Sequence, residues 1–248
     1  WSDISEIPVG TDNTSLAKVL QEKSWLPVER NPEPLQTYAA APIPPARLVQ
    51  PKDVCWEEDA KLAITSKPLV LYGRDEVPQK IQQALGFEAV TFEQVCDHLD
   101  GIITLWEQWH NEPEQTSPTV KVLDSAKAIY RYLYRYFNNS RHRQQSQSPQ
   151  LQARFAHRCC IWDEGTQRFW KPRHCFTQAV PFFGSRRVEI SLDSFPELGL
   201  DLLYPLLGVR ETPTVGDYQE FLQELATEFG VTPLTTLDIS QVLTVLQR

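Results

Sequence analysis

Methionine is absent from the 248 residues, glycine occurs only ten times, and no two glycines stand one residue apart. The last absence excludes the most. A phosphate cradle or a dinucleotide fingerprint needs Gly-x-Gly spacing, so that backbone amides can close on an anion. No apolar run approaches the roughly 18 residues of a membrane span, so no membrane partner is expected. There is no initiator methionine and no basic-then-apolar leader; the chain opens on Trp1 and reads as an excised piece of something longer. The lack of methionine has no physical explanation in the sequence. Five cysteines, an odd number, fit reduced intracellular thiols better than a disulfide framework. Hydrolytic chemistry finds no footing, because Gly184-Ser185 lacks the Gly-x-Ser-x-Gly elbow and no carboxylate pair stands near a histidine at a working spacing. No catalytic residue, no cofactor and no metal is therefore expected.

What is present is ordinary globular material, with 41% hydrophobic and 23% charged residues. The charge is segregated. Residues 1 to 130 carry 11 Lys+Arg against 20 Asp+Glu, residues 131 to 187 carry 11 against 2, and residues 188 to 248 carry 2 against 10. A basic centre between acidic flanks is complementary to itself, to a protein partner or to a polyanion.

The chain also repeats itself. Phe92, Val95, Cys96, Leu99 and Ile103 lay down an apolar stripe at helical steps, and Tyr218, Phe221, Leu222, Leu225 and Phe229 repeat the same steps. Thr91 with Gln94, and Thr214 with Asp217, stand where a side-chain cap would start each helix. Upstream of each stripe a short apolar helix, Ile81 to Leu85 and Leu203 to Leu207, ends on Gly86 or Gly208, where a left-handed residue is expected. Further upstream, Pro51 leads to Cys55-Trp56 as Pro172 leads to Cys175-Phe176, and "SWLPV" at 24 to 28 answers "CCIWD" at 159 to 163. A preceding helix occurs three times: Leu16, Val19 and Leu20 follow Asp12 at the steps by which Ile129, Tyr132 and Leu133 follow Ser125, and Val242, Val245 and Leu246 follow Asp238.

These patterns predict a mixed α/β (α+β) fold of two related helix-strand-helix units, with short sheets and amphipathic helices. The first unit covers 11 to 112 and the second 118 to 232; residues 233 to 248 begin a third copy's first helix. Two loops differ between the copies, a Pro/Ala-rich insertion at 29 to 46 and a polar stretch at 138 to 153 that is expected to be mobile.

The "WLPV" and "CCIW" strands, "LVQPKDVCW" and "FWKPRHCF", and "ALGFEAVTFEQVCDHL" and "LLGVRETPTVGDYQEFLQEL" together resemble the repeat regions of sacsin and sacsin-like proteins, over roughly residues 11 to 248. The resemblance implies a large intracellular, cytoplasmic or nuclear protein with a GHKL-type ATPase module near the start of each repeat and a chaperone-like scaffolding role. This stretch would follow such an ATPase module. The Glu/Asn helix, the adenine-reading Asp and the Gly-rich loops of that ATPase have no counterpart here, so its chemistry does not carry over.

Three constellations remain. His157, Cys159, Cys160, His174 and Cys175 offer imidazole and thiolate, but without a regular Cys-x-x-Cys pair they fit buried thiols beside surface histidines better than zinc. Trp106 and Trp109, with His110, extend the first long helix and are most simply packing residues; a peptide groove is the other reading. The basic centre carries the contact prediction: Arg131, Arg135, Arg141, Arg143, Arg154, Arg158, Arg168, Lys171, Arg173, Arg186 and Arg187. These fit a partner-facing strip that holds a protein partner or neighbouring modules. Interleaved with Tyr130, Tyr134, Phe155, Trp170 and Phe183, they also fit a nucleic-acid-binding module.

Overall fold

The computed structural model describes residues 8–9, 14–28, 48–63, 65, 67–70, 77–110, 119–178, 181–192, 200–230 and 232–246. The insertion at 29 to 46 lies outside the described residues. The fold is mixed, with two-stranded sheets among amphipathic helices, and none of the described helices is long and apolar enough to cross a membrane. The chain divides into two compact units, 1–129 and 130–248. The division falls inside a helix, whereas the sequence reading starts the second unit at 118.

In the first unit, β1 (Pro8–Val9) pairs with β2 (Thr14–Ser15), and α1 (Leu16–Glu22) follows at once. Strands β3 (Leu26–Pro27) and β4 (Leu48–Val49) are antiparallel, with Leu26 opposite Val49 and Pro27 opposite Leu48. A 3-10 turn at Pro51–Asp53 leads to Cys55, which bridges Leu69 in parallel. The core gathers Leu26, Val28, Val49, Val54, Trp56 and Val70, and the Trp56 ring stacks on Phe87 at 4.7 Å. Helix α2 (Ala60–Ala63) and the short α3 (Gln79–Ala84) precede Gly86. Its φ of 74° is a left-handed conformation that a Cβ resists.

Helix α4 (Phe92–His110) starts as the sequence predicts. The Thr91 amide donates to Gln94 Oε1 at 2.9 Å, and the Gln94 amide donates to Thr91 Oγ1 at 3.3 Å. Phe92, Val95, Cys96, Leu99 and Ile103 are all buried. Trp106 is buried too, whereas the side chains of Trp109 and His110 lie outside the described residues. His98 is also buried, and accepts from Thr65 at Nδ1 (Oγ1 at 2.7 Å). Gly101 admits this contact, because a Cβ there would meet Thr65 Oγ1 at 2.8 Å.

Helix α5 (Thr119–Asn138) carries the unit boundary. The expected mobile stretch at 138 to 153 is instead helix α6 (Arg141–Phe155). Its glutamines and arginines are good helix formers, and Leu151 and Phe155, four residues apart, bury one face. Pro149 stands inside this helix, where it has no amide to donate to the carbonyl four residues back.

The second unit continues with antiparallel β5 (Ile161–Asp163) and β6 (Arg168–Trp170), Ile161 opposite Trp170 and Trp162 opposite Phe169. After a 3-10 turn at Pro172–His174, β7 (Cys175–Phe176) pairs in parallel with β8 (Val188–Glu189). Helix α7 (Leu200–Leu207) ends at Gly208, φ 99°, and α8 (Val215–Phe229) follows from a Thr214/Asp217 capping box. Helix α9 (Thr236–Leu246) closes the unit, with Val242 against the cluster of Phe176, Phe183, Phe221 and Leu225. From the antiparallel pair onward the two units thus run through the same succession: a proline-led 3-10 turn, a parallel pairing at cysteine, a short helix, a left-handed glycine and a long capped helix.

Candidate contact surface: the basic strip and the acidic helix

Helix α8 presents two stripes. Tyr218, Phe221, Leu225 and Phe229 face the aromatic cluster, where the Phe183 ring stacks on Tyr218 at 5.1 Å and meets Phe221 edge-on at 5.2 Å. Asp217, Glu220, Glu224 and Glu228 stand one residue earlier at each step, so they form a carboxylate stripe alongside.

Guanidiniums from the preceding loops meet that stripe in order. Arg210 holds Asp217 through both terminal nitrogens, one bond measuring 2.7 Å, and its Nη2 also donates to the Arg173 carbonyl at 3.3 Å. Arg173 pairs with Glu220 at 3.0 Å. Arg187 donates to both oxygens of Glu224, at 2.9 and 3.0 Å, and stands 3.7 Å from Glu220. Arg186 reaches Glu228 at 2.9 Å and Asp238 of α9 at 3.7 Å. The Arg187 side chain is only 1% exposed, against 33% for Glu224. Burial pushes the Glu224 carboxyl up, but its hydrogen bonds and charge attraction from Arg187 outweigh this and hold it below the usual range. Asp217 is held low in the same way by Arg210 and Thr214.

Three of the eleven strip residues, Arg173, Arg186 and Arg187, are therefore engaged by carboxylates of their own unit. The others stand as follows. The Arg168 guanidinium lies 3.6 Å from the Trp170 ring centroid, and Arg154 lies 5.6 Å from that of Phe155. Arg131, Arg158 and Lys171 are half-buried and Arg135 is exposed. Arg141 and Arg143 stand in α6 with side chains outside the described residues. Arg210 and the three glutamates were not singled out in the sequence, and Asp217 only as a cap. The signal was there, as acidic residues at the steps of the apolar stripe displaced by one position.

His174 sits among these ions. Burial, then the charges of Arg187 and Arg173, lowers its pKa to about 4, so the ring is neutral at pH 7. Its Nε2, with Arg173 Nε and Arg187 Nε, is buried without a partner. Ligand atoms of His174, Glu220 and Glu224 lie within 4.8 Å of one another, close enough to hold a cation. The charge balance argues against one, since both carboxylates already carry guanidiniums that a divalent ion would have to face or displace. Of the expected His/Cys group, His157 is exposed, Cys159 is half-buried, and Cys160 and Cys175 are buried. Burial and then the neighbouring Cys160 push the Cys175 thiol well up, and burial pushes Cys55 up to about 12. Such thiols stay protonated and are poor nucleophiles and ligands.

No family model matches the chain, no curated protein matches it in sequence, and no solved structure matches its fold.

Proposed function

We propose that the chain is a non-catalytic scaffold or protein-interaction segment of a large intracellular, sacsin-like, chaperone-associated protein, and that it works by holding a protein partner or neighbouring modules. The observation that carries this reading is the engagement of Arg173, Arg186 and Arg187 by α8. Phosphates would have to displace bonded carboxylates there, one of them from a guanidinium already removed from solvent. The buried, protonated thiols of Cys55 and Cys175 are poorly suited to nucleophilic chemistry. The common succession of elements in the two units supports a module used more than once.

The test is affinity capture with and without nuclease, beside titration with a single-stranded oligonucleotide at low salt. Protein partners that survive nuclease, and no oligonucleotide binding, are expected. Oligonucleotide binding that weakens linearly with log salt would instead favour the strip as a nucleic-acid site.

A further inference from the structure

Resting on that reading, we propose that the first unit holds its protein partner by a carboxylate, taken up by Lys67 in a cleft of about 650 Å³ lined from β4, the turn at Pro51–Asp53 and the start of α4. Lys67 lines this cleft and is only 6% exposed. Its Nζ donates to the Lys52 carbonyl at 2.7 Å, which uses one of its three protons. Among the described residues no carboxylate pairs with it. A buried ammonium held by one neutral carbonyl lacks the counter-charge that offsets its desolvation.

The second unit shows what that counter-charge is. Its own proline-led turn, Pro172–His174, offers the Arg173 carbonyl at the place of Lys52, and there the donor is Arg210 Nη2 at 3.3 Å. Arg210 in turn holds Asp217, the residue that closes the capping box with Thr214. The residue that plays this part beside Thr91 in the first unit is Gln94. Gln94 is uncharged, and it lines the cleft with Ser24 and Gln50. A cation thus stands at the turn carbonyl in both units, but in the first the capping-box carboxylate is gone and open space adjoins the ammonium.

Asp53 and Asp97 line the same cleft, but both are exposed while Lys67 is buried, so water screens their charge more than that of the ammonium. As acceptors they suit the backbone N–H groups that flank a carboxylate on a peptide. The volume lies within the roughly 300–1,000 Å³ of ligand pockets, enough for a short segment rather than one side chain alone. An acidic segment of a protein therefore matches the cleft: its side-chain or C-terminal carboxylate meets Lys67, and its amides meet the two aspartates.

Titration of the full chain, followed by the amide NMR signals of Ser24, Gln50 and Gln94, tests this with acetyl-Ala-Glu-Ala-amide, acetyl-Ala-Gln-Ala-amide and acetyl-Ala-Ala-Ala bearing a free C-terminus. Saturable shifts with a carboxylate-bearing peptide and none with the glutamine peptide are expected; the tighter of the two acidic peptides tells a side-chain carboxylate from a C-terminal one. Lys67→Met should weaken that binding about tenfold or more. Gln94→Glu puts a carboxylate where the second unit has Asp217 and still serves the capping box, so it should weaken binding too without lowering the urea midpoint. No shift with either acidic peptide, an equal response to the glutamine peptide, or binding undiminished in both variants overturns the site. Nuclease-resistant capture of a protein partner that neither variant reduces would overturn the cleft as the contact and leave the scaffold reading standing. Capture lost on nuclease treatment, with peptide binding intact, would do the reverse.

Discussion

Arg187 grips Glu224 with two hydrogen bonds of 2.9 and 3.0 Å while its own side chain is almost wholly withdrawn from solvent. A buried guanidinium is tolerable only with its partner in place. Glu224→Ala should therefore cost about 2–4 kcal/mol, the upper part reduced because the glutamate end is a third exposed. Urea unfolding measures it, and a double-mutant cycle with Arg187→Met should show strong coupling. Independent, additive losses would mean that the pair is not a unit.

The exposed end of the ladder should behave differently. Glu228 is 58% exposed, so Glu228→Gln should shift stability by less than about 1 kcal/mol, with the effect shrinking in high salt. A loss equal to that of Glu224→Ala would contradict the gradient of burial along α8.

His98 makes the first unit sensitive to acid. Burial lowers its pKa from 6.5 to about 4, so the unfolded chain takes up the proton first as pH falls. Its contribution is complete above pH 6.5, declines as pH drops towards 4 and amounts to about 3 kcal/mol when fully lost. His174 acts in the same direction. Replacing His98 with Asn, which retains an acceptor but does not titrate, should flatten the pH dependence of the urea midpoint over that window. An unchanged slope would remove His98 as its source.

Tyr130→Phe should cost about 1–3 kcal/mol, because the Trp162 amide and the Cys160 carbonyl both lose a buried partner while the ring still packs against Tyr204. Equilibrium urea titration checks this. A cost near zero would mean that water replaces the hydroxyl.

Gly208→Ala should destabilise by about 1 kcal/mol or more. The added methyl would meet Gln152 Nε2 at 3.1 Å on a backbone with φ of 99°. Gly86→Ala should act likewise, meeting Gln21 Cγ at 3.3 Å at φ of 74°. A shift in thermal midpoint for one and none for the other would separate the two turns.

Local features were the most legible in the sequence. The caps at Thr91 and Thr214, the glycines that end the short helices and the two apolar stripes follow from nearest-neighbour geometry, which a one-dimensional pattern carries. Helix α6 was missed because a Gln/Ser/Arg stretch carries almost no periodicity; its two anchors, Leu151 and Phe155, act only against surfaces elsewhere in the chain. The ion ladder was half visible. Charge counting found a basic centre beside an acidic end, but which arginine meets which carboxylate depends on loops folding back onto α8, over separations such as the 37 residues from Arg187 to Glu224.

The one-residue offset between the aromatic and carboxylate stripes of α8 also acts as a rotational key. Each residue turns a helix by about 100°. A slip of one position would swing a carboxylate towards the rings of Phe176 and Phe183 and an aromatic towards Arg173 and Arg187. A carboxylate buried among rings without its guanidinium is costly, so α8 favours a single azimuth in its seat. A purely greasy helix of the same length could roll between neighbouring settings; this one is clocked by charge on one side and by ring edges on the other.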